Sequence, residues 1–146
     1  MNLADNQQFM IIDYEYAGWN PMAIDLANYI NETMLDNAYP LDNGIAWYLD
    51  NCMQPREIED MVKEYMKVYH AKYMRQDLRE KFPNFVETQY PNLLKEVWTC
   101  ALLNNFFWGV WSLALLKPED CAEKGIFNYD FAHFRCLAFE KIKTLM

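Results

Sequence analysis

The sequence predicts a mainly α-helical protein that opens with one short strand, and three observations carry this. The chain holds only four glycines in 146 residues, at positions 18, 44, 109 and 125. That is few for a fold built of strands and tight turns. Apolar residues recur at helical spacing, as in Ile58, Met61, Val62, Tyr65, Val68, Tyr69 and Tyr73, which together form one stripe along a helix. Helix-opening signals precede such segments: Asn20-Pro21, and Pro55 followed by Glu57, Glu59 and Asp60, where an N-cap, a first-turn proline and first-turn acids all favour a start.

The elements follow in order. Phe9-Met10-Ile11-Ile12 is apolar but too short for a helix, so it reads as a buried strand ending at Asp13. Asp13 to Trp19 reads as a loop. Asn20 caps a helix with Pro21 in its first turn, running to about residue 37. A loop containing Pro40, Asn43 and Gly44 leads to a short helix near 44–52. Pro55 opens a helix over roughly 55–77, and 77–90 is a charged, proline-containing connector. A long helix spans about 91–116 and stops before Pro118, because the residue preceding a proline leaves the helical region. A last helix covers about 128–145. There is no internal repeat and no low-complexity tract.

Composition narrows the function. Hydrophobic residues make up 53% of the chain, ample for a core in one domain's worth of sequence. The formal net charge is −8, from 13 basic and 21 acidic residues, which argues against a nucleic-acid or anionic-membrane surface. Cysteines 52, 100, 121 and 136 lack the close spacing of a metal-binding pair and read as reduced thiols of a cytoplasmic protein. The segment MNLADNQQF has neither the basic nor the apolar part of a signal peptide. The longest apolar run, 106–116, is too short to span a bilayer, so no membrane insertion is expected.

Two places carry chemistry. A carboxylate at the end of a buried strand is costly unless it meets a cation, a donor or solvent, and open sheets place ligand chemistry at strand ends. Asp13 and Glu15 could share one hard cation, although an isolated D-x-E is also what a solvated turn looks like. Downstream, Asp25, Asn28 and Glu32 fall on one helix face, extended by Asp36, with Tyr16 and Trp19 beside it. The second place is FFWGVWSLALL, residues 106–116. Three helical residues turn about 300°, so Trp108 and Trp111 point within about 60° of each other. Taken alone, two indoles in an apolar helix are core more often than a binding wall; Phe106, Leu113 and Leu116 of the same run are expected in the core.

Taken together, the segments resemble the choline/ethanolamine kinase family. Ile12-Asp13-Tyr14-Glu15-Tyr16, then Asp25-Leu26-Ala27-Asn28, then Glu32 are similar to that family's I-D-[FY]-E-Y, D-[IL]-x-N and Glu at this spacing. Phe107-Trp108-Gly109-Val110-Trp111-Ser112 is similar to F-[LF]-W-G-[LV]-W-[SA], and Tyr129-Asp130-Phe131-Ala132 with Arg135 resembles D-Y-A-x-x-R. The resemblance runs from Phe9 to about Phe139.

It implies the helical, acceptor-binding C-terminal lobe of a protein-kinase-like fold over 1–146, with the nucleotide lobe elsewhere. It implies an ATP-dependent kinase that phosphorylates the hydroxyl of choline, ethanolamine being the other acceptor, and it leaves a homodimer open. Asp13 would hold Mg²⁺ against the β- and γ-phosphates, with Glu15 beside it or on a second ion. Tyr16, Glu32, Trp108, Trp111 and Phe131 would form the acceptor pocket. Asp25, Asn28 and Arg135 would brace it. A quaternary ammonium has no N–H to donate, so aromatic faces and a nearby carboxylate are the groups that can hold it. Phe131 stands where the family often has tyrosine.

The departures are specific. No H-N-D-x-x-x-x-N catalytic loop, Gly-rich loop or ATP-pairing lysine segment is present; the histidines are His70 and His133. The base aspartate is therefore absent, and these 146 residues alone are expected to be inactive. A different kinase-like phosphotransferase would share the strand-end Asp but not W-G-x-W. A non-enzymatic helical binding module would use the same aromatics as core.

Overall fold

The computed structural model describes residues 18–36, 46–116 and 125–146. Helix α1 (Met22–Glu32) starts just after Pro21, which itself occupies the cap position that Asn20 was expected to hold. It buries Ala23, Leu26, Ala27, Ile30 and Asn31. The helix ends five residues earlier than its sequence pattern suggests. The Thr33 hydroxyl donates back to the Ile30 carbonyl at 2.7 Å, a local bond that competes with helix continuation. The chain then enters a two-residue strand, β1 (Leu35–Asp36), antiparallel to β2 (Ala46–Trp47), with Leu35 opposite Trp47. The Tyr48 N–H donates to the Met34 carbonyl at 2.7 Å, extending this ribbon. Thus Asp36 lies on a strand and does not prolong the helical face of Asp25 and Glu32. The short helix expected near 44–52 is instead β2 followed by one 3₁₀ turn, Leu49–Asn51. The strand expected at 9–12 lies outside the described residues.

Helix α2 (Pro55–Val68) opens as predicted, and the Gln54 N–H donates to the Glu57 carboxylate at 2.7 Å, as in one half of a capping box. Its buried residues are Ile58, Val62 and Met66, while Tyr65, Val68 and Tyr73 from the predicted stripe are exposed. A π turn, Tyr69–Tyr73, and an extended Met74 end this segment, so the single helix expected to 77 divides. A short α3 (Gln76–Lys81) follows.

Helix α4 (Phe85–Ala114) has 30 residues and is about 45 Å long at 1.5 Å per residue. It starts six residues before Pro91, ahead of the start expected near residue 91. Pro91 lies in the second turn, where it lacks one backbone donor. The Thr88 hydroxyl donates to the Asn84 carbonyl at 2.9 Å within this first stretch.

The buried seam of α4 is Leu93, Val97, Ala101, Asn105, Gly109 and Ser112, four residues apart until a last step of three, with large apolar side chains at its start and small or polar ones toward its end. Helix α5 (Gly125–Leu145) begins about three residues earlier than expected. It buries Ala132, Phe134, Arg135, Ala138 and Ile142. Helix α4 is central, packed against α1, α2 and α5. The core joins Ile30, Met34, Ile58, Val62, Val97, Phe134 and Ile142. The mainly α expectation therefore holds for the described residues, with one two-stranded ribbon added. Among these residues no helix is long and apolar enough to cross a membrane.

Candidate functional site

Of the predicted site residues, Asp13, Glu15 and Tyr16 lie outside the described residues. Among the described ones, no group of three His, Cys, Asp or Glu could hold a metal ion, so the Mg²⁺ expectation rests on Asp13 and Glu15 in the sequence.

The remaining predicted residues fall into two neighbourhoods. The first is a cleft of about 450 Å³ between α1 and α4, lined by Asp25, Asn28, Cys100, Asn104, Phe107 and Trp108 among others. Trp108 is half-buried there. Its ring stands edge-to-face with Trp111, centroids 5.3 Å apart and planes at 79°. The threefold spacing thus does bring the two indoles together. Phe107 meets Trp108 in the same way at 5.2 Å and 76°. Asp25 is exposed at this cleft, while Asn28 accepts a bond from Asn104 Nδ2 at 3.0 Å.

The second neighbourhood joins α1 to α5. Arg135 is buried, and its Nη2 donates to Glu32 Oε1 at 2.6 Å. Its guanidinium lies 4.6 Å from the centre of the Phe131 ring and 5.3 Å from that of Phe134. Charge-assisted bonds of this length are the strong kind, and stacking on aromatic rings suits the planar guanidinium. Glu32, Phe131 and Arg135 therefore form one cluster. Glu32 and Trp111 do not line the cleft at Asp25 and Trp108.

Between the two runs a chain of asparagines that sequence reading missed. Asn31 Nδ2 donates to the Ala101 carbonyl and to Asn104 Oδ1, each at 3.0 Å. Asn105 Nδ2 donates to Asn31 Oδ1 at 2.9 Å, and Arg135 Nη1 reaches Asn105 Oδ1 at 3.4 Å. Asn31 and Asn105 are fully buried, and buried amides are retained where their bonds are made. A signal was present: Asn31 follows Ala27 by four, on the face that buries Ala23 and Ala27, so a polar side chain there requires a partner.

Gly109 faces α5, and a methyl added to it would sit 3.5 Å from Arg135 Cβ. This is ordinary van der Waals contact, so α5 is the segment that approaches here and glycine is not obligatory for it. Phe106 and Leu113, expected in the core, are 63% and 44% exposed. The buried positions of this stretch are instead Asn105, Gly109 and Ser112.

Cys100 at the cleft is half-buried, and burial pushes its thiol up, as it does for the buried Cys52. Cys136 is exposed. A thiol with a raised pKa offers little of the reactive thiolate. In a timed alkylation at neutral pH read by peptide mass spectrometry, Cys136 is expected to label about tenfold or more faster than Cys52. Equal rates would show that the helices open freely.

Comparison with known proteins adds the identity. The family model for choline/ethanolamine kinase matches residues 1–138. The chain is 27% identical to choline kinase of Schizosaccharomyces pombe over 121 residues, covering 75% of this chain and 26% of that protein. It is 32% identical to ethanolamine kinase 1 of Mus musculus over 130 residues, covering 89% of this chain and 30% of that protein. It is 24% identical to choline kinase alpha of Mus musculus over 140 residues, covering 96% and 30%. The chain thus spans between a quarter and a third of the length of these curated relatives. No solved structure matches it. With a single family model running from Met1 into α5 and past Arg135, this chain belongs to the choline/ethanolamine kinase family.

Proposed function

We propose that this chain is the acceptor-binding part of an ATP-dependent kinase that phosphorylates the hydroxyl of choline. The observation that carries the reading is the Trp108–Trp111 pair. Its rings are half-buried and nearly perpendicular, so their planes make a corner. Such a corner suits a trimethylammonium group, which is held by ring faces because it has no N–H to donate. In this reading the neighbouring cluster of Glu32 and Phe131, together with Tyr16, completes the acceptor pocket beside the indoles, with Asp25, Asn28 and Arg135 bracing it. ATP with Mg²⁺, held near Asp13 and Glu15, supplies the phosphoryl group when bound. What this chain's residues do is bind the ammonium end and aim the hydroxyl, which lowers the barrier by positioning.

A second acceptor has an observation in its favour. Ethanolamine carries N–H donors, and Glu32 offers a carboxylate to receive them, while one relative at 32% identity is an ethanolamine kinase. A competition assay with the full-length protein decides between them. Choline is expected to be turned over faster than ethanolamine when both are limiting; the reverse order would overturn the choline assignment.

In the same protein, Trp108→Ala and Trp111→Ala are each expected to raise the KM for choline about 2- to 30-fold, the range of one cation–π contact, with the KM for ATP unchanged. Unchanged choline affinity in both would return the indoles to the core. The 146 residues alone, which contain no H-N-D-x-x-x-x-N segment, are expected to transfer no phosphoryl group from ATP to choline. Measurable turnover by them would refute the partition between two lobes.

A further inference from the structure

The bond between Glu32 and Arg135 leaves the two oxygens of the carboxylate unequal. Arg135 Nη2 takes Oε1 at 2.6 Å, and among the described residues no donor reaches Oε2. The two partners are also unequally buried: the Arg135 side chain is 2% exposed and that of Glu32 34%. So the guanidinium is part of the interior, and the carboxylate stands at its edge. The guanidinium is in turn fixed from three sides. Asn105 Oδ1 accepts from Nη1, the rings of Phe131 and Phe134 lie against it, and Asn105 is held by Asn31 and the Ala101 carbonyl. A long flexible cation on the surface would leave Glu32 free to rotate; this one cannot move.

From this geometry we infer that Arg135, locked by Asn105, is a positioning residue that aims Glu32 Oε2 at the ammonium of the acceptor. The inference rests on the reading of Glu32 as part of the acceptor pocket. The arginine's own charge opposes that of the carboxylate, and distance decides the balance. An ammonium touching Oε2 is closer to the carboxylate than to a guanidinium lying behind Oε1, and Coulomb energy falls with distance. Holding the glutamate in one rotamer also removes an entropic cost from the binding step. A fork is needed for this. Lysine is a point donor and cannot hold Asn105 and Glu32 together as a planar guanidinium does.

The test uses the full-length enzyme and two acceptors of one shape, choline and the neutral alcohol in which carbon replaces its nitrogen. The ratio of their kcat/KM values reports how well the charge of Glu32 is aimed, which a merely structural role would not move. Arg135→Lys keeps a cation in the interior and is the variant chosen to remain folded, with melting measured alongside. It is expected to lower the ratio about tenfold, the loss of one well-aimed charged contact, with the KM for ATP unchanged. Glu32→Gln is expected to lower it as much. Arg135→Lys added to Glu32→Gln is expected to lower it no further, since both act through the same oxygen.

A ratio that stays or rises in Arg135→Lys overturns the inference, and so does an additive double variant. A wild-type enzyme inert toward both choline and ethanolamine would overturn the functional reading instead, and the two failures are thereby distinct.

Discussion

Replacing Phe134 by alanine is expected to destabilise the protein by about 4 kcal/mol, measured as a shift in the urea midpoint at constant slope. Phe134 is fully buried and is the largest fully buried side chain among the described residues. Its ring stacks on Trp47 at 6.0 Å and 21°, lies 6.4 Å from Phe131, and meets the Arg135 guanidinium at 5.3 Å. The variant loses the transfer energy of the ring and leaves a void in the core. The void cannot be refilled cheaply, because its walls include a ribbon residue, Trp47, and a fixed cation, Arg135. Total stabilities of domains are commonly about 5 to 15 kcal/mol, so the alanine variant would be near the threshold of folding. Phe134→Leu retains most of the volume and is expected to cost only about 1 to 1.5 kcal/mol. Equal losses for the two variants would mean that the ring's position, and not its volume, matters.

How far the sequence revealed this arrangement depends on the range of the interaction involved. Helix α2 was legible at its start because Pro55 and Glu57 act on their own first turn. The end of α1 was not, since β1 is fixed by pairing with β2, and the apolar pattern through Met34 says nothing of a partner ten or more residues away. Pro91 forgoes the bond that an N–H there would make to the Glu87 carbonyl, and the helix nevertheless begins ahead of it because Phe85, Val86 and Tyr90 pack against the core.

The greatest difference concerns the inner face of α4. Hydrophobicity marked Phe106 and Leu113 for the core, yet close packing against α1 and α5 selects the small row Ala101, Asn105 and Gly109. Large side chains there would hold the helices apart.

The site divides in the same way. The adjacency of Trp108 and Trp111 follows from three residues of helix, and the structure places the rings 5.3 Å apart. The resemblance to a family singled out Glu32 and Arg135. Their bond, across 103 residues of sequence, could only be seen once α1 and α5 were both packed against α4. The asparagine chain was missed because each amide is unremarkable singly. Its meaning comes from burial, where an unpaired amide would cost about 1 to 3 kcal/mol.

Removing Glu32 is expected to destabilise the protein more than removing Arg135, although both break the same bond. The reason is where each deletion leaves the surviving charge. Glu32→Ala strands a guanidinium whose side chain is 2% exposed. Its remaining polar contact is the 3.4 Å bond to Asn105, and its Nε has no partner among the described residues. Deleting one partner of a buried pair costs about 3 to 5 kcal/mol, because an uncompensated charge remains in the interior. Arg135→Met leaves the opposite case. Methionine fills most of the stem's volume beside Phe131 and Phe134, and the surviving carboxylate, 34% exposed, can turn to water. Its loss is expected to be about 1 to 2 kcal/mol, since solvent screens what the guanidinium no longer does. The combination Glu32→Ala with Arg135→Met removes both charges and is expected to be more stable than Glu32→Ala alone. Urea denaturation of the three variants measures this directly. A double variant less stable than Glu32→Ala would show that the guanidinium is held by its aromatic neighbours rather than by its charge partner.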